Sequence, residues 1–187
     1  MNKLTYGLLS LLASESLTGY ELTSRIKTFW HTNHSAIYPL LTNMVKNDLL
    51  SYVWIKQKGK PDKKLYSITE QGITKLKEWI HDDLEMPTKK DELTMRFFSI
   101  QILNDEEIRQ LLGKAKQRCL TRIDMYNKKL SDLKKKFGDK FMTLKSPKIG
   151  SFLLLQKGIK DVELELEWCE WVEGLISKED KTPIREL

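Results

Sequence analysis

Ser35, Tyr38, Thr42 and Lys46 fall three and four residues apart, and a little further on Lys56, Lys58, Lys60, Lys63 and Lys64 crowd around a single acid, Asp62. On a helix the first set forms one stripe of hydroxyls ending in an ammonium. Such side chains hydrogen-bond base edges and phosphate oxygens. The second set, gathered about Gly59 and Pro61, can follow a phosphodiester backbone or dip into a minor groove. Asn2, Lys3 and Tyr6 add donors before and at the opening of a first helix, where phosphate contacts are common. Any one of these groups reads equally well as solvated surface. In this order and spacing they point to double-stranded DNA as a partner.

Little else in the chain offers chemistry. His31, His34 and His81 are scattered, no Ser-His-Asp or HExxH arrangement occurs, and no Gly-rich loop could cradle phosphates, so an enzyme is not expected. His31 and His34 alone make a poor metal site, and no cofactor is expected. Cys119 and Cys169 lack a CxxC neighbour and lie in apolar helical patterns, which suits two reduced core thiols. A net charge of +6 and a pI of about 9.1 fit an anionic partner, although the distribution of charge says more than the sum. The N-terminus has no signal-peptide pattern and no apolar run is long enough to span a bilayer, so a cytoplasmic protein without membrane contact is expected.

The elements that must position these groups follow from periodicity and capping. Leu4, Leu8, Leu11 and Leu12 mark a first helix. Thr18 and Glu21 form a capping box at the start of a second, with Leu22, Ile26 and Phe29 or Trp30 on its buried face. Pro39, tolerated about the first turn, places the start of a third helix near Ser35, with Ile37, Leu40, Leu41, Met44 and Val45 turned inward. From Tyr52 the period changes to two, predicting a two-stranded hairpin tipped by Gly59 and Pro61. Thr69 caps a fourth helix whose seam, Leu76, Ile80 and Leu84, runs to Pro87.

The second half is built from long helices. Asn104 to Glu107 caps one that carries Ile108, Leu112, Ala115, Cys119, Ile123, Tyr126, Leu130, Leu133 and Phe137, and Gly138 ends it. After Ser146 and Pro147 a last helix has one seam of Phe152, Leu155, Ile159, Val162, Leu166, Cys169, Val172 and Ile176. A second seam holds Leu164, Trp168, Trp171 and Leu175. A helix apolar on two sides needs two partners, so a second copy of the chain is expected; the first seam supplies the dimerisation candidates, and which of the two seams faces the other subunit stays open. The earlier helix is basic and the last acidic, which suits complementary faces on antiparallel helices. The tail from about Ser177 to Leu187 reads as frayed.

These residues carry a resemblance. Tyr6-Gly7-Leu8-Leu9, Thr18-Gly19-Tyr20-Glu21-Leu22, Ser35-Ala36-Ile37-Tyr38-Pro39-Leu40-Leu41 and Lys64-Leu65-Tyr66-Ser67-Ile68-Thr69-Glu70-Gln71-Gly72 resemble the PadR family of transcriptional regulators, in the family's order and over most of residues 4 to 85. Lys90-Asp91-Glu92-Leu93 and Ser146-Pro147-Lys148-Ile149-Gly150 resemble, more loosely, its larger subgroup, which includes phenolic-acid-responsive repressors. The family pattern has a glycine where Asp48 stands, and Asp tolerates left-handed backbone angles well enough to keep that turn.

The resemblance implies a mainly α protein with a small β-hairpin, in which a winged helix-turn-helix over 1–86 precedes a helical dimerisation and effector domain over 87–187. It implies a homodimeric repressor on an inverted-repeat operator, released by a small aromatic effector of the phenolic acid class. Tyr6, Ser35, Tyr38, Thr42 and Lys46 would meet groove and phosphate, and Lys58, Lys60, Lys63 and Lys64 would form the wing contact. Two recognition helices must then stand about 34–36 Å apart, which a rigid helical dimer can fix. Trp79, Arg96, Phe97, Phe98 and Phe152, beside Met86, Met95 and Leu155, could line an effector site between the halves, with Arg96 facing a carboxylate; each is also an ordinary core or surface residue. The alternative reading is a winged-helix module that docks proteins on a coiled-coil-like scaffold.

Overall fold

Cap residues fix where the first helices begin. In the computed structural model, which describes residues 1–30, 32–86 and 91–177, Asn2 Oδ1 accepts from the Thr5 amide at 2.9 Å and opens α1, Lys3–Leu12. Thr18 and Glu21 make the expected reciprocal box at α2, Gly19–Ile26: the Glu21 amide donates to Thr18 Oγ1 at 3.3 Å and the Thr18 amide to Glu21 Oε2 at 2.8 Å. Those same bonds hold the Glu21 carboxyl below its ordinary pKa. The third helix, α3, spans His34–Lys46 and starts one residue ahead of Ser35, because Asn33 accepts from the Ala36 amide.

Leu8, Leu9, Leu22, Ile26, Ile37 and Leu41 form a core that these helices close around, each at most 1% exposed. Phe29 or Trp30 is expected to extend the buried face of α2, yet both are exposed at 43%. The α2 helix has ended at Ile26, so they no longer follow its period.

After α3 the chain turns at Asp48, whose φ of 54° is the left-handed conformation expected of the residue at this place. β2 (Leu50–Ile55) and β3 (Lys63–Ile68) pair antiparallel, with Tyr52 opposite Tyr66 and Trp54 opposite Lys64. The hairpin is not two-stranded, however. Leu17 and Thr18 form a short β1 that pairs with Tyr66 and Leu65, giving the sheet order β1-β3-β2. Two residues are too few to show alternation, and they also serve as the entry to α2.

Thr69 then caps α4, Glu70–His81, accepting from the Gly72 amide at 3.0 Å and donating to the Asp48 carbonyl at 2.6 Å. A Cβ on Gly72 would lie 2.3 Å from the Leu49 carbonyl oxygen, so this close approach of helix to turn requires glycine. The expected run of α4 to Pro87 does not occur. Leu76 is buried and Trp79 still packs on the core, but Ile80 and Leu84 are exposed and Asp82 is already extended, because the core ends there. Pro87 itself, like His31, Lys90 and the tail from 178 onward, lies outside the described residues.

The chain divides into two compact units, Met1–Met86 and Pro87–Leu187. The second contains a short α5 (Glu92–Phe97), then α6 (Asp105–Phe137) and α7 (Ile149–Ser177). Asn104 and Glu107 box the start of α6, and Gly138, at φ 63°, ends it. Ion pairs show α6 and α7 to be antiparallel: Lys116 with Glu173 at 2.7 Å, and Arg118 and Arg122 with Glu165. The basic and acidic helices thus face one another as expected.

Packing corrects the dimerisation assignment. Cys169, Val172 and Ile176 lie against Ile108, Leu112 and Ala115, while Leu155, Ile159, Val162 and Leu166 lie against Cys119, Ile123, Tyr126 and Leu130. Phe152 meets Phe141 edge-on at 5.7 Å. The first seam of α7 is therefore covered within its own chain. Leu164 and Trp171 of the second seam, with Leu153, remain exposed on the opposite side. Periodicity reveals an apolar seam but not which partner covers it.

Candidate nucleic-acid interface

The buried side of α3 aims its other side outward. With Ile37 and Leu41 fully buried and Met44 nearly so, Ser35, Tyr38, Thr42 and Lys46 are all exposed along one stripe. Ser35 Oγ donates to Asn33 Oδ1 at 2.7 Å, and Thr42 Oγ1 donates to the Tyr38 carbonyl at 3.1 Å. Each hydroxyl has its proton engaged locally and presents lone pairs outward, a match for the amino donors of adenine or cytosine in a major groove. Tyr38 leans on Gly19, where an added Cβ would come within 2.9 Å of its ring. Beside it, Tyr20 is 70% exposed and lies 6.3 Å from the His34 ring.

The wing carries the charge. Lys58 and Lys60 project at the tip around Gly59, whose φ of 69° makes the turn, and the Gln57 amide donates to Asp62 Oδ1 at 3.2 Å across it. Lys63 is exposed at the start of β3. Lys64 is held differently: its Nζ sits 4.1 Å from the Tyr52 ring centre and 5.2 Å from that of Trp54. Among the described residues no ion pair engages Lys46, Lys58, Lys60 or Lys64.

The N-terminal trio is engaged elsewhere. Tyr6 is buried with its ring stacked on Trp79 at 4.7 Å and 7°, so the ring is a packing element rather than an open contact. Lys3 Nζ meets Glu85 at 2.6 Å, and Asn2 is occupied as the cap of α1. Nothing in the sequence spacing distinguished these roles from phosphate contacts.

Of the five residues expected around an effector, the four in the second unit do not converge. Trp79 belongs to the first unit, against Tyr6. Phe97 packs edge-on to Trp168 at 4.7 Å, whereas Phe152 sits sixteen positions earlier on α7, roughly 24 Å away at 1.5 Å per residue. Phe98 is 89% exposed. Arg96 pairs with Glu92, and both line a cavity of about 200 Å³ with Leu93, Leu111, Lys114, Ala115 and Arg118. Sequence reasoning did not single out Lys114 or Arg118 for such a role, because they are two among many cations on α6. No group of three or more His, Cys, Asp or Glu side chains among the described residues could hold a metal ion.

Three helices followed by a small antiparallel sheet with a lysine-rich hairpin define a winged helix-turn-helix regulator. The Transcriptional regulator PadR-like family model matches residues 8–78, and the Virulence activator alpha C-term model matches 89–177. The negative transcriptional regulator PadR of Bacillus subtilis (strain 168) is 30% identical over 191 aligned positions, covering 97% of this chain and 100% of that protein. The chain belongs to the PadR family of transcriptional regulators. Its relatives there are regulators and not enzymes. The crystal structure of B. subtilis PadR in complex with operator DNA superposes with a TM-score of 0.81 at 27% identity, covering 95% of this chain and 99% of that one. The crystal structure of the same protein with p-coumaric acid gives 0.73 at 25%, covering 94% and 99%.

Proposed function

We propose that the chain is a homodimeric repressor that grips an inverted-repeat operator with paired α3 helices and wings and lets go when a small aromatic acid binds. The observation that carries this reading is the exposed stripe of Ser35, Tyr38, Thr42 and Lys46, together with wing lysines Lys58, Lys60 and Lys64 that no ion pair engages among the described residues. Hydroxyls and a cation on one helix face read a groove, and the lysines neutralise phosphates. The wing and α3 belong to one compact unit, so the same unit presents both. No helix among the described residues is long and apolar enough to cross a membrane, and the work assigned here takes place in the cytoplasm.

The effector part of the proposal draws on the relative solved with p-coumaric acid. In this chain Arg96, Lys114 and Arg118 line a cavity with Leu93, Leu111, Ala115 and the Glu92 carboxylate that pairs with Arg96. Cations beside apolar surface suit an aromatic carboxylate.

Fluorescence anisotropy of a labelled duplex from the gene's own upstream region, at two salt concentrations with and without p-coumarate, tests both parts. The expected result is binding tighter than to random duplex, weaker at high salt, and reversed by p-coumarate. Binding indifferent to p-coumarate removes the phenolic acid from the proposal. Binding indifferent to sequence and salt favours the protein-docking alternative.

A further inference from the structure

Lys64 differs from the other wing lysines in having its charge held in place. Across β2 and β3, Tyr52 stands opposite Tyr66 and Trp54 opposite Lys64, so the four side chains share one face of the sheet. The Tyr52 and Trp54 rings meet edge to face at 5.9 Å and 90°, making a corner, and the Lys64 ammonium sits in it, 4.1 Å from one ring centre and 5.2 Å from the other. Trp54 is 59% exposed on an edge strand, which is little burial for a side chain of its size.

We propose that Tyr52 and Trp54 are positioning residues for DNA binding, whose rings fix the Lys64 ammonium where it meets a backbone phosphate. The proposal rests on the DNA-binding reading above. A lysine free in solvent loses rotamer freedom when it meets a phosphate, and one already held between two rings loses less. The rings attract the ammonium without neutralising it, so its charge stays available to an anion on the open side. No carboxylate among the described residues competes for it.

The corner is also tied to the core. Tyr52 lies 5.9 Å from the buried Tyr66, whose phenol is pushed above its ordinary pKa first by burial and then by the nearby Tyr38 and Tyr52. Tyr66 thus backs the Lys64 corner from the core.

The test is a double-mutant cycle in the full chain, read by anisotropy on the upstream duplex across a salt series. Lys64→Met is expected to weaken binding about tenfold and to flatten the slope of log affinity against log salt by about 1.8, the share of the two phosphates met by the two Lys64 side chains of a dimer. Tyr52→Leu with Trp54→Leu is expected to weaken binding roughly three- to tenfold, and adding Lys64→Met to that pair to cost less than about twofold more. Tyr52→Phe with Trp54→Phe keeps both ring faces and stays within about twofold of the parent. Should the leucine pair fold poorly, Trp54→Leu alone takes its place, since that ring is the more exposed.

Equal losses from Lys64→Met in both backgrounds, an unchanged slope, or a phenylalanine pair as weak as the leucine pair would each overturn the positioning role. A parent chain without salt-dependent binding would instead overturn the DNA-binding reading itself, and the two failures are distinct.

Discussion

At the scale of single residues, backbone geometry at Asp48 and solvation at Cys119 carry testable consequences. Asp48 holds φ 54° where the chain leaves α3, and its carbonyl accepts from Thr69, the cap of α4. Asp48→Gly should leave stability within about 1 kcal/mol, since relief of the left-handed strain and the greater freedom of the unfolded glycine oppose each other. Asp48→Val, β-branched at positive φ, should cost at least about 1–2 kcal/mol in urea unfolding. Equal midpoints for the two variants would show that the turn is not under this constraint. Cys119, fully buried, has its thiol pushed up to about 11 by desolvation first and then by Glu165. The folded thiol stays protonated while the unfolded one ionises near 9, so the folded state loses stability as pH rises from about 9 toward 11. Cys119→Ala should show a shallower fall over that window, and a parallel pair of curves would sink the assignment. What the sequence could not show at this scale is competition between roles. Asn2, Lys3 and Tyr6 have the donors for phosphate, but a helix cap, a carboxylate and the Trp79 ring claim them, and those partners are 3 to 82 positions away in the chain.

At the scale of elements, much was legible wherever a local device is self-contained. The Thr18 and Glu21 box, the Asn104 and Glu107 box and the glycine end of α6 each act within a few residues, and each stands where the pattern put it. The two-residue β1 was not legible, because its identity comes from pairing with β3 some 48 positions later. The end of α4 was misjudged for a similar reason: Ile80 and Leu84 keep the helical period although no core waits beneath them. The pairing of α6 with α7 lies between these cases. Charge complementarity was visible in composition, and the structure localises it on Glu165, which joins Arg118 and Arg122 and is itself 24% exposed. Glu165→Gln should therefore lower stability by about 1 kcal/mol at low salt, and the loss should shrink when ionic strength is raised, because such pairs are partly screened. Thermal melts of parent and variant at 0.05 and 0.5 M salt, both values being of the order needed to span the Debye screening range, would check this. A loss independent of salt would assign the effect to packing instead. Gly158 sets the other limit on this pairing, since a Cβ there would fall 2.9 Å from the Tyr126 ring.

At the scale of the whole molecule, the proposed dimer needs a surface that folding leaves uncovered. The seam of α7 facing α6 is fully used within the chain, from Leu155 to Val172. On the opposite side Leu153, Leu164 and Trp171 are exposed at 53%, 67% and 39%, and at 100° per residue they fall within a narrow stripe of the helix. That stripe suits a second copy, for two such helices crossing would bury both apolar rows and leave the acidic flanks solvated. Leu164→Glu together with Trp171→Glu should then give a monomer in sedimentation at micromolar concentration. Its far-UV helix signal should be retained, because both side chains point away from the α6 contact. A monomer can engage one half-site at a time, so affinity for a two-half-site operator should fall by roughly 10²–10⁴, the usual gain from linking two binding units. Each half-site contact should persist, and the salt slope should therefore fall by about half as the phosphate contacts are halved. A variant that remains dimeric would move the interface off this face. A monomeric variant that still binds the operator as tightly as the parent would remove symmetry from the account of recognition, and a parent that is already a monomer would remove the dimer.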